Sequence, residues 1–215
     1  MRIEMTLAEI LSLSPIVPVV TLADPRRAEP LARALVAGGV PAIEITLRTP
    51  AALEAIAAAA GVPGAVIGAG TVRGGADIEA AAKAGARFAV SPGATPALIE
   101  ASAGAPVPLL PGVATASEMM AWLERGQTLL KFFPAEILGG AAALKAYAGP
   151  FPGLRFCPTG GLSLASAPSY LALANVICVG GSWLTPEDLL ARNDWAGIEA
   201  LARATTARLA RPALP

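Results

Sequence analysis

A lysine stands inside a short apolar segment, Leu129–Phe133, which has strand character and ends at Pro134. Burying a lysine in such a strand is costly because its ammonium group loses hydration. The loss disfavours the charged form and leaves a free amine, a group that can attack a carbonyl carbon. A side chain that leans out of the strand end into water is the alternative. Lys131 is therefore a candidate for covalent chemistry.

The segment Ala42–Arg48 places a carboxylate and a guanidinium on one face of a predicted strand. With a period of two residues, Glu44, Thr46 and Arg48 point to one side, and apolar residues point to the other. An inward acid and base are expensive unless they are paired or functional. A structural ion pair is the alternative, but Arg48 falls at the strand's carboxyl end, which favours function.

The same parity aligns Leu129, Lys131 and Phe133 on one face of their strand. If that face is inward, Lys131 meets Glu44 and Arg48 inside the fold. Lys83 and Lys145, the only other lysines, lie in predicted helices and are most simply solvated. The pattern predicts one reactive lysine beside one carboxylate.

Glycine pairs and a threonine follow three other predicted strands. Thr71 comes after Gly68-Ala69-Gly70 and is placed to donate a hydroxyl hydrogen bond to a bound carboxylate, although ordinary turn chemistry also explains it. Thr159-Gly160-Gly161 and Gly180-Gly181-Ser182 allow backbone N–H groups to approach an anion, and they favour phosphate binding over two plain tight turns. Neither a Walker A nor a GxGxxG pattern is present, so no nucleotide cofactor is implied.

The composition excludes several classes of function. The chain has 215 residues and no histidine, which removes His-ligated zinc and Ser-His-Asp catalysis. Its 16 basic and 16 acidic residues give no electrostatic case for nucleic acid or an anionic membrane. No apolar run is long enough to span a bilayer, and the N-terminus does not resemble a signal peptide. Cys157 and Cys178 are expected to be reduced core thiols, and the protein is expected to be cytoplasmic.

Strands and helices alternate along the whole chain. The predicted strands are Ile16–Leu22, Ala42–Leu47, Ala65–Val72, Phe88–Ser91, Val107–Pro111, Thr128–Phe133, Arg155–Thr159 and Val176–Gly180. A spacing of roughly 20 to 27 residues is typical of one βα unit. The pattern predicts a single α/β domain over residues 1–215, a (β/α)8 TIM barrel rather than an open sheet. An additional N-terminal helix is expected at about residues 6–14, and the tail, about residues 210–215, is expected to fray.

Six motifs in order resemble one family over nearly the whole chain. They are Glu44–Thr49, Gly68–Val72, Ser91–Gly93, Lys131–Glu136, Phe156–Gly161 and Val179–Leu184. Together they are similar to the bacterial 2-keto-3-deoxy-6-phosphogluconate (KDPG) aldolases of the Entner–Doudoroff pathway, which are often also 4-hydroxy-2-oxoglutarate (KHG) aldolases. The segment Thr21–Arg27 departs somewhat from that family's pattern.

The resemblance implies a class I aldolase on a (β/α)8 barrel, commonly a homotrimer, with no metal and no cofactor. It implies Lys131 as the Schiff-base lysine and Glu44 as the general acid and base. The residues implied to bind substrate are Arg48 and Thr71 for the pyruvate carboxylate, Pro92 and Phe133 as pocket lining, Thr159 for the stereochemistry at C4, and Gly160, Gly161, Gly181 and Ser182 for the phosphate. The partners expected are a phosphorylated 2-keto-3-deoxy sugar acid and pyruvate.

Three alternatives remain open at this point. The first is the sister aldolase for the galactonate epimer, although Thr159 and Ser182 resemble the gluconate enzyme. The second is a non-catalytic barrel that binds a sugar phosphate as a sensor, and it would need no inward lysine. The third, a metal-dependent class II aldolase, is disfavoured by the missing histidines.

Overall fold

The structure of the protein is a computed structural model that describes residues 5–210. Helices and parallel strands alternate, as the sequence predicts. The strands are β1 (Ile16–Val20), β2 (Ala42–Thr46), β3 (Val66–Gly70), β4 (Phe88–Val90), β5 (Leu109–Leu110), β6 (Gly112–Val113), β7 (Leu129–Phe132), β8 (Arg155–Pro158) and β9 (Val179–Gly181). The α/β class with a curved parallel sheet is therefore confirmed.

The helices follow the strands in turn. They are α1 (Leu7–Leu11), α2 (Ala28–Ala37), α3 (Ala52–Ala60), α4 (Gly75–Lys83), α5 (Pro96–Ser102), α6 (Ala116–Leu123), α7 (Gly140–Tyr147), α8 (Ala167–Leu171), α9 (Glu187–Ala191) and α10 (Trp195–Leu209), with a 3-10 turn at Pro25–Arg27 before α2. No helix within residues 5–210 has the length and hydrophobicity that crossing a membrane requires. Except for Ala210, the predicted frayed tail lies outside the described residues.

The strands form two adjoining parallel sheets. One has the order β5-β4-β3-β2-β1-β9, and the other has the order β6-β7-β8. The predicted fifth strand, Val107–Pro111, is observed as β5 and extends past its predicted end as β6, with a break at Pro111, which has no N–H for a ladder hydrogen bond. β5 pairs with β4 and β6 pairs with β7, so the split strand belongs to both sheets. At the other edge, single bridges join Phe156 to Val176 and Thr159 to Gly180.

Two apolar regions lie on the two sides of the strands. Ile43 and Ile45 of β2 pack outward into the layer between strands and helices, as the period-two pattern predicts. A second cluster includes Val17, Phe88 and Cys157, which share the parity of the inward positions. Glu44 and Lys131 also have inward parity. Each lies two residues nearer the carboxyl end of its strand than an apolar residue of this cluster, Ala42 in β2 and Leu129 in β7.

Helix α1 adds three apolar side chains, Leu7, Ile10 and Leu11, to the inner cluster. It begins at a capping box, in which the Thr6 hydroxyl accepts from the Glu9 N–H and the Glu9 carboxylate accepts from the Thr6 N–H. It is shorter than the predicted segment of about residues 6–14, because a residue before proline avoids helical geometry and Pro15 follows Ser14. The helix covers the side of the inner cluster that lies away from Glu44 and Lys131.

Candidate active site

Lys131 and Glu44 form a buried pair. The Lys131 Nζ donates to Glu44 Oε1 at 3.3 Å, although the residues are 87 positions apart in the chain. Their side chains are only 5% and 4% exposed. The prediction that both point inward and meet is confirmed by this contact.

Local packing makes room for this pair. Gly70, at the end of β3, lies beside Thr46 of β2 in the parallel ladder. A Cβ atom at Gly70 would collide with the Glu44 carboxylate. Along the same strand, Gly68 leaves space for the ring of Phe88. The glycines of the Gly-Ala-Gly segment thus have a packing role, which lets an acid occupy the inside of a narrow fold.

A proton can also pass between the two side chains of this pair, which leaves both of them uncharged. Two buried charges are expensive even when they are close together. Movement of one proton over the 3.3 Å between Nζ and Oε1 converts the ion pair to an amine and a carboxylic acid, and both buried charges disappear. The ring of Phe133, whose centroid is 5.3 Å from Nζ, stabilises the charged form of the lysine. The arrangement can present a nucleophilic amine with a proton carrier beside it.

Arg48 and Thr71 are joined by a hydrogen bond above this pair. The Arg48 Nε donates to Thr71 Oγ1 at 3.1 Å. Thr71 has a φ of 62°, a left-handed conformation that β-branched residues rarely adopt. Such strain costs about 1–3 kcal/mol and clusters at binding sites. The sequence predicted both residues for one carboxylate subsite, and the structure brings them together.

Replacement of Thr71 by glycine is expected to raise the free energy of unfolding by roughly 1 kcal/mol, because relief of the strain exceeds the entropy loss of glycine. The same change removes a hydroxyl from the predicted carboxylate subsite, so we expect trapping of pyruvate by borohydride to require more pyruvate. Chemical denaturation and trapping over a pyruvate series measure the two effects. Asn193→Gly is the matched control, since Asn193 also has a positive φ of 53° and does not line the cavity. A less stable Thr71→Gly variant, or unchanged trapping, would contradict this prediction.

A cavity of about 550 Å³ opens at the carboxyl ends of the strands. Neither Lys131 nor Glu44 lines it, but Phe133 does, and the centroid of its ring is 5.3 Å from Lys131 Nζ. Seven residues predicted to bind substrate line it, namely Arg48, Phe133, Thr159, Gly160, Gly161, Gly181 and Ser182. Two other predicted residues do not line it: Thr71 contacts Arg48, and the backbone of Pro92 packs against Gly112, whose partner in β7 is Lys131. The structure thus gathers most of the predicted site, and the role of Pro92 as pocket lining stays a prediction.

One end of the cavity is made of glycine backbone. Gly160 and Gly161 have φ values of 101° and 81°, a conformation that turns successive N–H groups toward one side. The Gly160 carbonyl accepts from the Glu136 N–H at 3.1 Å, and a bridge pairs Thr159 with Gly180, so the two glycine turns lie side by side. The Trp183 ring requires glycine at position 181, because a Cβ atom there would collide with it. Glycine backbone of this kind lets amide donors approach a phosphate group closely.

The charges around the cavity are few. Arg48 is its cationic side chain and Glu187, at the start of α9, is its acidic one. Among residues 5–210, no group of three or more His, Cys, Asp or Glu side chains is placed to hold a metal ion. The glycines and Ser182 that line the cavity carry no charged side chain.

Sequence reasoning missed several lining residues, which are Val19, Thr21, Leu162, Thr185, Glu187 and Leu190. Val19 and Thr21 had a usable signal, because they share the inward parity of β1 and lie near its carboxyl end. Leu162, Thr185, Glu187 and Leu190 lie in turns or at the first turns of a helix, where no periodicity marks a direction. Their position depends on how the loops close over the strands.

Glu136 and Tyr170 were also missed, and they support the glycine turn from below. The Tyr170 hydroxyl donates to Glu136 Oε1 at 2.8 Å. The Glu136 N–H donates to the Gly160 carbonyl at 3.1 Å, and a Cβ at Gly161 would lie 2.8 Å from the Glu136 side chain. Tyr170 is only 1% exposed, so this bond ties the turn to the buried face of α8.

Replacement of Tyr170 by phenylalanine is expected to lower the free energy of unfolding by about 1–2 kcal/mol near neutral pH. Burial, together with the bond to Glu136, raises the pKa of Tyr170 above its ordinary value of 10.0. Folding then favours the protonated phenol, so the stabilisation is complete below that ordinary value and is lost as the pH rises above it. Denaturant titrations of both proteins from neutral to alkaline pH should show the difference shrink. Tyr147→Phe is the control, and a difference independent of pH would contradict the prediction.

Comparisons with known proteins agree with this geometry. Residues 7–201 match the family model described as KDPG and KHG aldolase. The chain is 50% identical over 195 residues to the KHG/KDPG aldolase of Escherichia coli, covering 90% of this chain and 92% of that protein.

Two solved structures are also similar. The KDPG aldolase of Legionella pneumophila, with pyruvate captured as a covalent carbinolamine intermediate, aligns with a TM-score of 0.91 and 43% identity, covering 94% of this chain and 98% of that one. The KDPG aldolase of Zymomonas mobilis with 3-phosphoglycerate has a TM-score of 0.90 and 47% identity, with coverages of 96% and 97%. The matched residues include both members of the buried pair and the glycine end of the cavity. This chain belongs to the KDPG and KHG aldolase family.

Proposed function

We propose that this protein is a class I aldolase that cleaves KDPG to pyruvate and D-glyceraldehyde 3-phosphate through a Schiff base on Lys131. The observation that carries the proposal is the buried amine of Lys131, 3.3 Å from the Glu44 carboxylate, close to a cavity that ends in the glycine backbone of Gly160 and Gly161. A buried amine with an acid beside it, together with a glycine-lined cavity that suits an anion, matches the parts of a phosphorylated keto acid. Cleavage of KHG is the second activity, supported by the dual name of the E. coli relative.

Covalent attachment is the first part of the mechanism. The Lys131 amine attacks the C2 ketone to form a carbinolamine, while Arg48 and Thr71 hold the substrate carboxylate. Glu44 supplies the proton with which the C2 oxygen leaves as water, and an iminium ion remains. Phe133 faces the cation that forms at this nitrogen. The covalent carbinolamine named for the L. pneumophila relative is the corresponding species in that protein.

Carbon–carbon cleavage is the second part. Glu44, now a carboxylate, takes the proton of the C4 hydroxyl through the released water, and the C3–C4 electron pair moves into the iminium. Glyceraldehyde 3-phosphate leaves and an enamine remains on Lys131. Glu44 returns its proton to C3, and hydrolysis of the resulting iminium releases pyruvate and restores the amine. The water that hydrolyses the iminium gives up a proton to Glu44, so Glu44 gives two protons and takes two in each cycle, and the cycle is balanced.

Phosphate recognition comes from the glycine end of the cavity. The N–H groups of Gly161 and Ser182 donate to the phosphate oxygens, with Gly160 and Gly181 alongside. The proposal is supported by the glycine lining of this end of the cavity and by the Z. mobilis relative, which was solved with 3-phosphoglycerate. Thr159, on the wall between the lysine and the phosphate, selects the configuration at C4. Pro92 completes the lining near Lys131.

A stereochemical assay tests the function. Pyruvate release is measured on KDPG, on its galactonate epimer and on KHG, each with and without excess chelator. We expect the fastest release from KDPG, measurable release from KHG, and no effect of the chelator. Faster release from the epimer would make the protein the sister aldolase, loss of activity in chelator would indicate class II chemistry, and no release at all would indicate a binding protein.

We propose further that the two sheets close into one (β/α)8 barrel over residues 1–215, with α1 as an additional helix across its amino-terminal end. Three observations support closure. The split fifth strand contributes to both sheets, Lys131 N–H donates to the Pro111 carbonyl at 2.8 Å, and bridges join the edges near Phe156 and Thr159. A crystal structure with an open edge between β8 and β9 would contradict it.

A homotrimer is the assembly we propose, and the family resemblance supports it. Light scattering on purified protein should give a mass of three copies of the 21.5 kDa chain. A mass of one or two copies would contradict it. The cytoplasmic location stays a prediction from the sequence.

A further inference from the structure

A pair of threonine hydroxyls lies in the cavity wall between the two ends of the site. Thr21 Oγ1 is 2.8 Å from Thr46 Oγ1. The parallel register of β1 and β2 explains the pair, because Val19 lies beside Glu44 and Val20 beside Ile45, so the next step brings Thr21 beside Thr46. Thr46 is fully buried between Glu44 and Arg48 on the inward face of β2, whereas Thr21 is exposed in the cavity.

The Thr21 hydroxyl has unused hydrogen-bonding capacity. A hydroxyl has one proton to donate and two lone pairs that accept. Among residues 5–210, Thr46 is the one hydrogen-bond partner of the Thr21 side chain. If Thr46 donates to Thr21, the Thr21 hydroxyl can still donate its proton to a ligand in the cavity. If Thr21 donates to Thr46, its oxygen can still accept a hydrogen bond from a ligand. In either direction the group can bind one more hydroxyl, and its bond to Thr46 holds it in place.

The position of Thr21 along the cavity determines which group of the substrate it can contact. β1 pairs with β2, which provides Glu44 and Arg48, and with β9, where Pro18 lies beside Gly181. Thr21 therefore lies on the wall that connects the keto-acid end to the phosphate end. In a substrate held by C2 at Lys131 and by its C6 phosphate at the glycines, C4 is next to Glu44 and Thr159. The C5 hydroxyl comes after it on the way to Gly181 and Ser182.

We propose that Thr21 is a specificity-determining residue that hydrogen-bonds the C5 hydroxyl of the six-carbon substrate, with Thr46 as its positioning partner. The inference rests on the proposed aldolase function and adds a substrate contact that the predicted site lacks. KHG has a carboxylate carbon at C5 and therefore no hydroxyl there.

The condensation direction tests the contact directly. Pyruvate is condensed with D-glyceraldehyde 3-phosphate, whose C2 hydroxyl becomes the C5 hydroxyl, and with the 2-deoxy analogue 3-phosphooxypropanal, which keeps the phosphate but has no such hydroxyl. For Thr21→Val we expect kcat/KM with glyceraldehyde 3-phosphate to fall roughly 3- to 15-fold, the scale of one neutral hydrogen bond. The value with the deoxy analogue should stay within about twofold of wild type.

Two further measurements separate contact from structure. Thr21→Ser keeps the hydroxyl and should restore most of the activity on glyceraldehyde 3-phosphate. Borohydride trapping with pyruvate alone should be unchanged in Thr21→Val, because pyruvate has no hydroxyl. Equal losses on both aldehydes, or no loss on either, would overturn the inference while leaving the aldolase function intact. A wild type inactive in condensation and cleavage would overturn both.

Discussion

Replacement of Lys131 by alanine is expected to abolish aldolase activity, with a loss of at least about 10⁴-fold, the scale seen when a covalent nucleophile is removed. Without the amine no iminium forms, and the C3–C4 electron pair has no acceptor. The measurement is pyruvate release from KDPG, paired with mass spectrometry of protein reduced by borohydride in the presence of pyruvate. Wild type should gain one pyruvate-derived adduct per chain, and the variant should gain none.

The sequence has only three lysines, so the trapping experiment can assign the label to one of them. Lys83 and Lys145 are the other possible sites of modification, and both lie in helices. Lys83→Ala and Lys145→Ala are the matched controls, and each should be active and labelled like wild type. A label on either residue, or an active Lys131→Ala variant, would end the proposed mechanism.

A folding control is needed because Lys131→Ala leaves Glu44 without its partner. Removing one member of a buried pair costs about 3–5 kcal/mol when the other stays charged. Lys131→Met combined with Glu44→Gln removes both charges and keeps the volume, so it should be more stable than Lys131→Ala. Thermal unfolding of the two variants distinguishes a lost nucleophile from a lost fold.

Replacement of Glu44 by glutamine is expected to lower kcat for KDPG cleavage by roughly 10²- to 10⁴-fold. The amide keeps the size of the carboxyl group and can accept from Lys131, but it cannot take a proton from the C4 hydroxyl or return one to C3. Single-turnover cleavage should show the loss. Trapping with pyruvate should still label Lys131, only more slowly.

The matched control is Glu29→Gln, which removes an exposed carboxylate whose partner is Arg33 on the outer surface. Its activity should equal that of wild type. If Glu44→Gln kept kcat within about tenfold of wild type, another group would have to carry the protons. The absence of histidine in the sequence would then direct attention to Thr46, Thr159 or bound water.

The part of the site that the sequence predicted is the part that strand parity determines. Glu44, Arg48 and Lys131 were assigned to the inward face by counting in twos, and the contacts of Glu44 with Lys131 and of Arg48 with Thr71 agree with this. The alternation of strands and helices was equally clear. Both are local signals, repeated along the chain.

The part that escaped prediction depends on contacts between distant segments. Nothing near Glu136 in sequence indicates that Tyr170, 34 positions away, will donate to it. The strain at Thr71 comes from the turn that brings Val72 back to the Val90 carbonyl, so composition does not reveal it. The missing N–H of Pro111 predicts a break in the strand. It does not predict that β5, before the break, pairs with β4 while β6, after it, pairs with β7.

The glycine end of the cavity has a consequence for how this protein could be tuned. In the proposed phosphate site the donors are peptide amides, which cannot be acetylated or titrated as a charged side chain can, so the phosphate affinity would be set by the shape of the two turns. Mutation can weaken it most readily by distorting Gly160 or Gly161, whose φ values of 101° and 81° suit few other residues. Selection on phosphate affinity would then act through the packing beneath the turns, at Glu136 and Tyr170, and leave the turns themselves almost no freedom to vary.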